Sequence, residues 1–168
     1  AVNRQLNSEK MFGPSIFTTM PAEVLAGQSR PGQGWGKSSA DDRRRRSIYI
    51  HVKRSMGVPI LQTNDSADTD NTCPVRFITT QPTQALGMMN SEFTNRQAKW
   101  LAADVTKIHS SVADRVEEVL KRVTQRQPSN DEIKQGLDLI QSLQTASDPT
   151  EKKITSQQAF EYFCLMAI

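Results

Sequence analysis

The chain has 168 residues, of which 36% are hydrophobic, and it carries a formal net charge of +3 at pH 7. This length is sufficient for one ordinary domain with a hydrophobic core. No stretch approaches the roughly 20 consecutive apolar residues that a transmembrane helix requires. The composition therefore excludes a membrane-spanning segment within this sequence.

Basic residues are concentrated in one short stretch of the first half. Residues 43–46 are four consecutive arginines, and Lys53 and Arg54 follow them. A nucleic-acid-binding surface combines such a run with aromatic side chains or with a recognisable recognition motif. Here only Tyr49 is near, and two aspartates directly precede the arginines. We therefore expect the run to be solvated or salt-bridged, and we expect no nucleic-acid partner.

Residues 1–80 form an irregular segment in which glycine and proline interrupt the periodic patterns. A short helical turn is predicted at residues 21–25, because proline suits the first turn of a helix. In residues 47–54 β-branched side chains alternate with polar ones, which favours a strand. A helix over residues 43–55 is the alternative. Residues 59–80 are predicted to be irregular and polar.

From residue 82 onward, apolar residues recur at three- and four-residue steps, the pattern of helices with one buried face. A long helix is predicted to begin at Pro82, and its apolar face comprises Leu86, Met89, Phe93, Trp100, Leu101, Val105 and Ile108. A second helix carries Val112, Val116, Val119, Leu120 and Val123. The third opens with a capping box, in which Ser129 and Glu132 exchange side-chain-to-backbone hydrogen bonds. A fourth begins at about Ser156.

These patterns predict a mainly α fold. Because the connecting loops are short, the helices of residues 81–168 should pack as an antiparallel helical array. Residues 1–80 should form an irregular Gly/Pro-rich N-terminal half, and residues 1–168 together should be a fragment of one domain. The apolar run at residues 160–168 has no helix-stop signal after it, which also favours a fragment of a larger protein.

Two stretches are similar to ligand-binding loops but lack residues that such loops use. Residues 31–38 have Pro31 where a phosphate-binding loop has glycine, and proline has no backbone N–H to offer. We therefore predict a glycine-rich surface or interface loop anchored by Trp35. An EF-hand beginning at Asn64 would place Thr69 and Val75 where glycine and glutamate are needed. No metal ligands are assigned, and no cofactor is expected in this chain.

The candidate binding residues lie in the polar segment that follows residue 64: Asp65, Asp68, Asp70, Asn71 and Arg76. Carboxylate and amide oxygens of this kind suit an irregular calcium site, and the alternative is that they cap turns. A nucleophile triad of Cys73 with His51 and one aspartate matches no known motif. Paired carboxylates that hydrolyse glycosides are supported by residue type alone. No catalytic residue is assigned.

Several phrases of the sequence carry a family resemblance. They are residues 5–7, 13–17, 46–55 and 68–76, and above all residues 79–90, which contain Pro-Thr-Gln-Ala-Leu followed closely by Asn90. Residues 126–132 add an Arg-x-Pro-Ser-x-x-Glu helix junction. In these phrases the chain resembles a family found mainly in planctomycetes and related bacteria, the domain of unknown function 1553.

The resemblance extends over the whole chain but covers only the C-terminal part of the family's domain. It implies an exported protein of the periplasm or cell envelope, whose upstream domains often include a c-type cytochrome module. It transfers no catalytic residue. We therefore expect a structural or binding module of a larger exported, cytochrome-associated bacterial protein. The alternative is part of an enzyme that acts on complex polysaccharide, with residues 65–76 at its site, so catalysis stays an open question here.

Overall fold

The computed structural model describes residues 2–67, 72, 75, 78–145 and 154–168. Within these residues the regular structure consists of seven α-helices and no strand. The helices are α1 (Ala22–Ala26), α2 (Pro59–Thr63), α3 (Pro82–Asn90), α4 (Glu92–Ile108), α5 (Val112–Thr124), α6 (Asn130–Thr145) and α7 (Ser156–Ala167). The prediction of a mainly α fold is confirmed.

The chain divides into two compact units. The helical unit comprises the first four residues and Met88–Ile168, and the N-terminal unit comprises Gln5–Gly87. The division falls inside α3, a few residues after the boundary at 80 that composition indicates. The expectation that residues 1–168 belong to one domain stays a prediction.

The core of the helical unit lies where α4, α5, α6 and α7 meet. Leu101, Val105, Val116, Val119 and Cys164 are fully buried there. Leu101 and Val105 are one helical turn apart, as Phe160 and Cys164 are, so each helix presents a continuous apolar stripe to the others. Each fully buried aliphatic side chain contributes about 1.5–3 kcal/mol through burial. The apolar stripe predicted for the second helix, α5, thus contributes to this core through Val116 and Val119.

Two capping boxes define where α6 and α7 begin. The Ser129 backbone N–H donates to the Glu132 carboxylate at 2.8 Å, and the Glu132 N–H donates to the Ser129 hydroxyl at 3.3 Å. This confirms the predicted capping box. At α7, Thr155 and Gln158 make the same reciprocal pair. These bonds satisfy backbone donors that the first turn of a helix would otherwise leave unpaired.

The prediction of a single long helix from Pro82 is wrong, because the structure has two helices there, α3 and α4. The chain breaks between Asn90 and Glu92, where the Ser91 hydroxyl accepts a hydrogen bond from the Thr94 N–H at 3.4 Å and caps α4. The residues before the break do not extend the buried face. Leu86 and Met89 are 60% and 47% exposed. The apolar stripe of α4 becomes buried only from Ala98 onward.

The predicted strand at residues 47–54 is also wrong, and so is the alternative helix. The chain forms a 3-10 turn at Ser47–Tyr49, and a single parallel bridge then joins Ile16 to Ile50. Ile48 and Val52 are 76% and 65% exposed, whereas Ile50 is half-buried, so the alternation does not form a buried apolar face. The predicted turn after Pro21 is confirmed as α1. The helix α2 was not predicted, since its residues were expected to be irregular.

Candidate functional site

Asp65 is the one member of the predicted binding set that lies within the described residues. Its carboxylate accepts hydrogen bonds from the Thr79 backbone N–H at 2.7 Å and from the Thr79 hydroxyl at 2.8 Å. Its backbone lies in the left-handed region, with a φ of 56°. Asp65 therefore connects, through these hydrogen bonds, the chain that follows α2 with the segment that precedes α3.

The other predicted members, Asp68, Asp70, Asn71 and Arg76, lie outside the described residues. The same is true of Cys73, so the triad and the calcium site stay predictions. Among the described residues, no group of three or more His, Cys, Asp or Glu side chains is placed to hold a metal ion. His51 contacts aromatic rings, with its ring centroid 4.8 Å from that of Phe17.

The second cysteine, Cys164, is a free thiol in the core of the helical unit. Burial, with a further contribution from Glu161, raises the pKa of this thiol to about 12. A thiol with such a pKa is almost entirely protonated at neutral pH, and the thiolate is the reactive form. Cys164 is therefore a packing residue and not a nucleophile.

A cleft of about 470 Å³ opens in the N-terminal unit, formed by residues between 17 and 43. One wall is aromatic. The rings of Phe17 and Trp35 meet edge to face with centroids 5.5 Å apart, and the Trp35 indole N–H donates to the Thr18 carbonyl oxygen at 3.0 Å. The predicted role of Trp35 as the anchor of the glycine-rich loop is thus confirmed.

The lining of the cleft is also basic. Lys37 and Arg43 both line it, and Arg43 donates to the hydroxyl of Thr19 at 2.7 Å. No acidic residue lines the cleft within the described part of the chain. The cleft therefore combines aromatic side chains with positive charge, a combination that neither the glycine pattern nor the arginine run predicts alone.

The arginine run is not uniformly solvated, which corrects the sequence expectation. Arg45 is only 4% exposed. It donates to the carbonyl oxygens of Lys10 and Pro14 at 3.1 and 2.8 Å, and its guanidinium lies 4.1 Å from the centre of the Tyr49 ring. Buried polar groups of this kind must find partners. Arg45 therefore organises the loops of the N-terminal unit from within.

A lysine forms the salt bridges to the two aspartates that precede the run. Lys10 lies 2.7 Å from the Asp42 carboxylate and 3.6 Å from that of Asp41. The hydrogen bond to Asp42 raises the pKa of Lys10, and the same bond, with one from Ser39, lowers the pKa of Asp42. Asp42 is therefore already engaged, although it is adjacent in sequence to Arg43.

Comparison with known proteins supplies the family. The model of the PSD1 family, described as a protein of unknown function (DUF1553), matches residues 1–140. The chain belongs to this family. No curated protein and no solved structure matches the chain.

The match to PSD1 includes the whole N-terminal unit and the helical unit as far as most of α6. It therefore includes every residue of the cleft and the predicted segment 65–76. The family resemblance read from the sequence is confirmed to that extent. No helix in the described parts of this PSD1 chain is both long and apolar enough to span a bilayer.

Proposed function

We propose that this chain is a non-catalytic structural or binding module of a larger exported bacterial protein. The observation that carries this proposal is which groups the buried charged side chains bind. Arg45 and Arg122 are the buried charged side chains of the described residues. Arg45 holds backbone carbonyls, and Arg122 holds the carboxylates of Asp104 and Glu118. Both stabilise the fold through these partners.

The arrangement around Arg122 is that of a structural ion pair. Its Nη1 lies 2.7 Å from the Asp104 carboxylate on α4, and its Nε lies 2.6 Å from Glu118 one turn earlier on α5. Burial opposes the charged form of Arg122, but these two hydrogen bonds outweigh it and raise its pKa. The arginine thus stays charged and joins two helices. Catalytic sites, by contrast, hold ionisable groups close to the pKa that proton transfer needs.

Exposed apolar side chains of the helical unit support attachment to further protein. On α7, Tyr162 and Met166 are 46% and 60% exposed and lie one turn apart. At the start of α4, Phe93 is 51% exposed. Apolar groups left on a surface favour contact with another protein surface. Upstream domains of the same polypeptide would bury these side chains.

The attachment we propose is to a polypeptide that also carries a c-type cytochrome module. Two observations support this attachment. The chain belongs to the PSD1 family, and its residues 68–76 and 79–90 resemble phrases of planctomycete proteins. By this resemblance, the chain corresponds to the C-terminal part of the domain. Haem would then be bound by the cytochrome module, and this chain would hold no cofactor itself. The location we propose is the periplasm or the cell envelope.

Fractionation of cells that express the complete gene product tests this proposal. We expect the chain to appear in the periplasmic or envelope fraction and to comigrate with covalently bound haem. A cytoplasmic product without haem would contradict it. In the complete protein, Tyr162→Asp with Met166→Asp should increase protease cleavage between domains. The paired control, Gln157→Asp with Ser156→Asp at exposed polar positions of the same helix, should not.

A second candidate function is a part of an enzyme that acts on complex polysaccharide. The left-handed backbone of Asp65 favours it, because strained residues of this kind recur at functional sites. The complete protein should then release sugars from one member of a glycan panel. Asp68→Ala and Asp70→Ala should abolish that release. An activity that is unchanged in both variants would remove the segment 65–76 from the site.

A further inference from the structure

We propose that the cleft beside Trp35 binds an organic anion that carries a ring, with the ring at the aromatic side chains of Trp35 and Phe17 and the anionic group at the basic side chains of Lys37 and Arg43. This inference concerns the N-terminal unit alone. It does not depend on which domains the larger polypeptide contains.

The aromatic wall is held in place before any ligand arrives. The indole N–H of Trp35 is fixed to the Thr18 carbonyl oxygen, and the Phe17 N–H is fixed to the Ser38 hydroxyl at 2.9 Å. His51 packs behind both rings, with its centroid 5.9 Å from that of Trp35. A wall whose rotamers are already ordered loses little conformational entropy when a ligand binds.

Glycine at position 36 is needed for this wall. A Cβ atom there would lie 2.9 Å from Cε2 of Phe17, a distance that requires the ring to move. The Phe17 ring therefore rests directly on the backbone of the loop that carries Trp35. The glycine-rich stretch of residues 31–38 therefore has a packing role, which is to let the Phe17 ring approach the loop backbone. This role is different from that of the glycines in a phosphate-binding loop.

The basic side chains that line the cleft form no salt bridge within the described residues. Within the described residues, Lys37 has no hydrogen-bond or salt-bridge partner, and the partner of Arg43 is the uncharged hydroxyl of Thr19. The neighbouring carboxylate of Asp42 accepts from Lys10 and Ser39, each at 2.7 Å. Two cations at one cleft without a lining carboxylate attract an anion, and low salt strengthens that attraction.

The dimensions of the cleft select a ring-bearing anion over a simple ion. Its volume of about 470 Å³ falls within the range in which proteins bind small organic molecules. A carboxylate or sulfate group would accept charge-assisted hydrogen bonds from Lys37 and Arg43. A ring attached to it would contact the aromatic side chains of Phe17 and Trp35. An aromatic acid and an acidic sugar unit share this chemistry.

Calorimetric titration of the intact protein separates these sources. The probes are benzoate, galacturonate oligomers and inorganic sulfate, with benzamide and galactose oligomers as the uncharged counterparts. We expect saturable binding of one organic anion, weakened about tenfold by Lys37→Gln or Arg43→Gln, as loss of one charge-assisted hydrogen bond predicts. Arg46→Gln is the matched control, because Arg46 is exposed in the same run and does not line the cleft.

Several results would overturn the proposal. They are absence of saturable binding of either organic anion up to about 10 mM, equal binding of the uncharged counterpart, binding of sulfate as tight as that of the organic anion, and equal weakening by Arg46→Gln. Lys37→Gln should leave the urea unfolding midpoint unchanged, because Lys37 is exposed and makes no bond within the described residues. It therefore tests the site even where Arg43→Gln perturbs folding.

Discussion

Gly136 lies within α6 at a point where the fold leaves no room for a side chain. A Cβ atom added there would lie 2.7 Å from Cγ1 of Val116 and 2.9 Å from Cε2 of Phe163. Both neighbours belong to the core, being 0% and 4% exposed. Gly136 therefore marks the place where α5 and α7 both come into contact with α6.

Two opposed effects decide the outcome of Gly136→Ala. Alanine is more favourable than glycine inside a helix by about 1 kcal/mol. Overpacking a well-packed core costs about 1–3 kcal/mol. Contact with two buried neighbours at less than 3 Å places this site toward the upper end of that range. We therefore expect the substitution to lower the free energy of unfolding by about 1–2 kcal/mol.

Gly87, in α3, provides the matched control. A Cβ atom there would lie 3.8 Å from Cγ2 of Thr63, which is ordinary van der Waals contact. Only the helix preference then changes, so Gly87→Ala should raise the free energy of unfolding of the N-terminal unit by about 0.5–1 kcal/mol. The same substitution should thus have opposite signs at the two helical glycines.

Urea denaturation with tryptophan fluorescence measures both effects. Trp100 on α4 reports on the helical unit after Trp35→Phe, and Trp35 reports on the N-terminal unit after Trp100→Phe. Because Val116 supplies the closest contact, Val116→Ala should cost less in the Gly136→Ala background than it does alone. A Gly136→Ala variant as stable as its parent, or strict additivity with Val116→Ala, would refute the packing argument.

Three further predictions concern charged and reactive groups of the helical unit. Arg122→Ala should destabilise that unit by about 3 kcal/mol, because it leaves two carboxylates without their cation, whereas Lys121→Ala should change urea stability little. The hydrogen bond from Arg126, together with that from the Ser129 backbone, lowers the pKa of Glu132 to about 2 from 4.5. The stability that the Glu132 carboxylate contributes to the fold is therefore complete above pH 4.5 and lost as the pH falls toward 2. Carboxyl NMR titration of an Arg126→Gln variant should give a higher pKa for Glu132. In a background whose other cysteine is serine, Cys164 should react with a thiol reagent at pH 8 only after denaturation, and reaction in the folded state would contradict its burial.

The helices of the second half could be predicted because their signals are local. The capping box at Ser129 and the stripe of α5 involve residues within one or two turns of each other. The break before α4 has a local signal too. Ser91 followed by Glu92 is a typical N-cap with an acidic first turn, but the stronger apolar periodicity on both sides obscured it.

The N-terminal unit could not be predicted in the same way, because its contacts join distant residues. The alternation at residues 47–54 is typical of a strand, yet Ile50 pairs with Ile16 at a single bridge. The partners of Arg45 are backbone carbonyls, which no side-chain pattern reveals. The aromatic wall combines Phe17, Trp35 and His51 from three separate segments. Its one sequence signal was the glycine-rich loop with a tryptophan inside it.

The charged residues therefore have different roles in the two units. In the helical unit the buried cation, Arg122, forms salt bridges with carboxylates on two helices, so its charge is neutralised within the fold. In the N-terminal unit Lys10 takes the nearby aspartates, while Lys37 and Arg43 face a cleft that no acidic residue lines among those described. Cations that the fold itself does not neutralise are free to attract an external anion. Electrostatics thus supports the anion site that we propose in the cleft of the N-terminal unit.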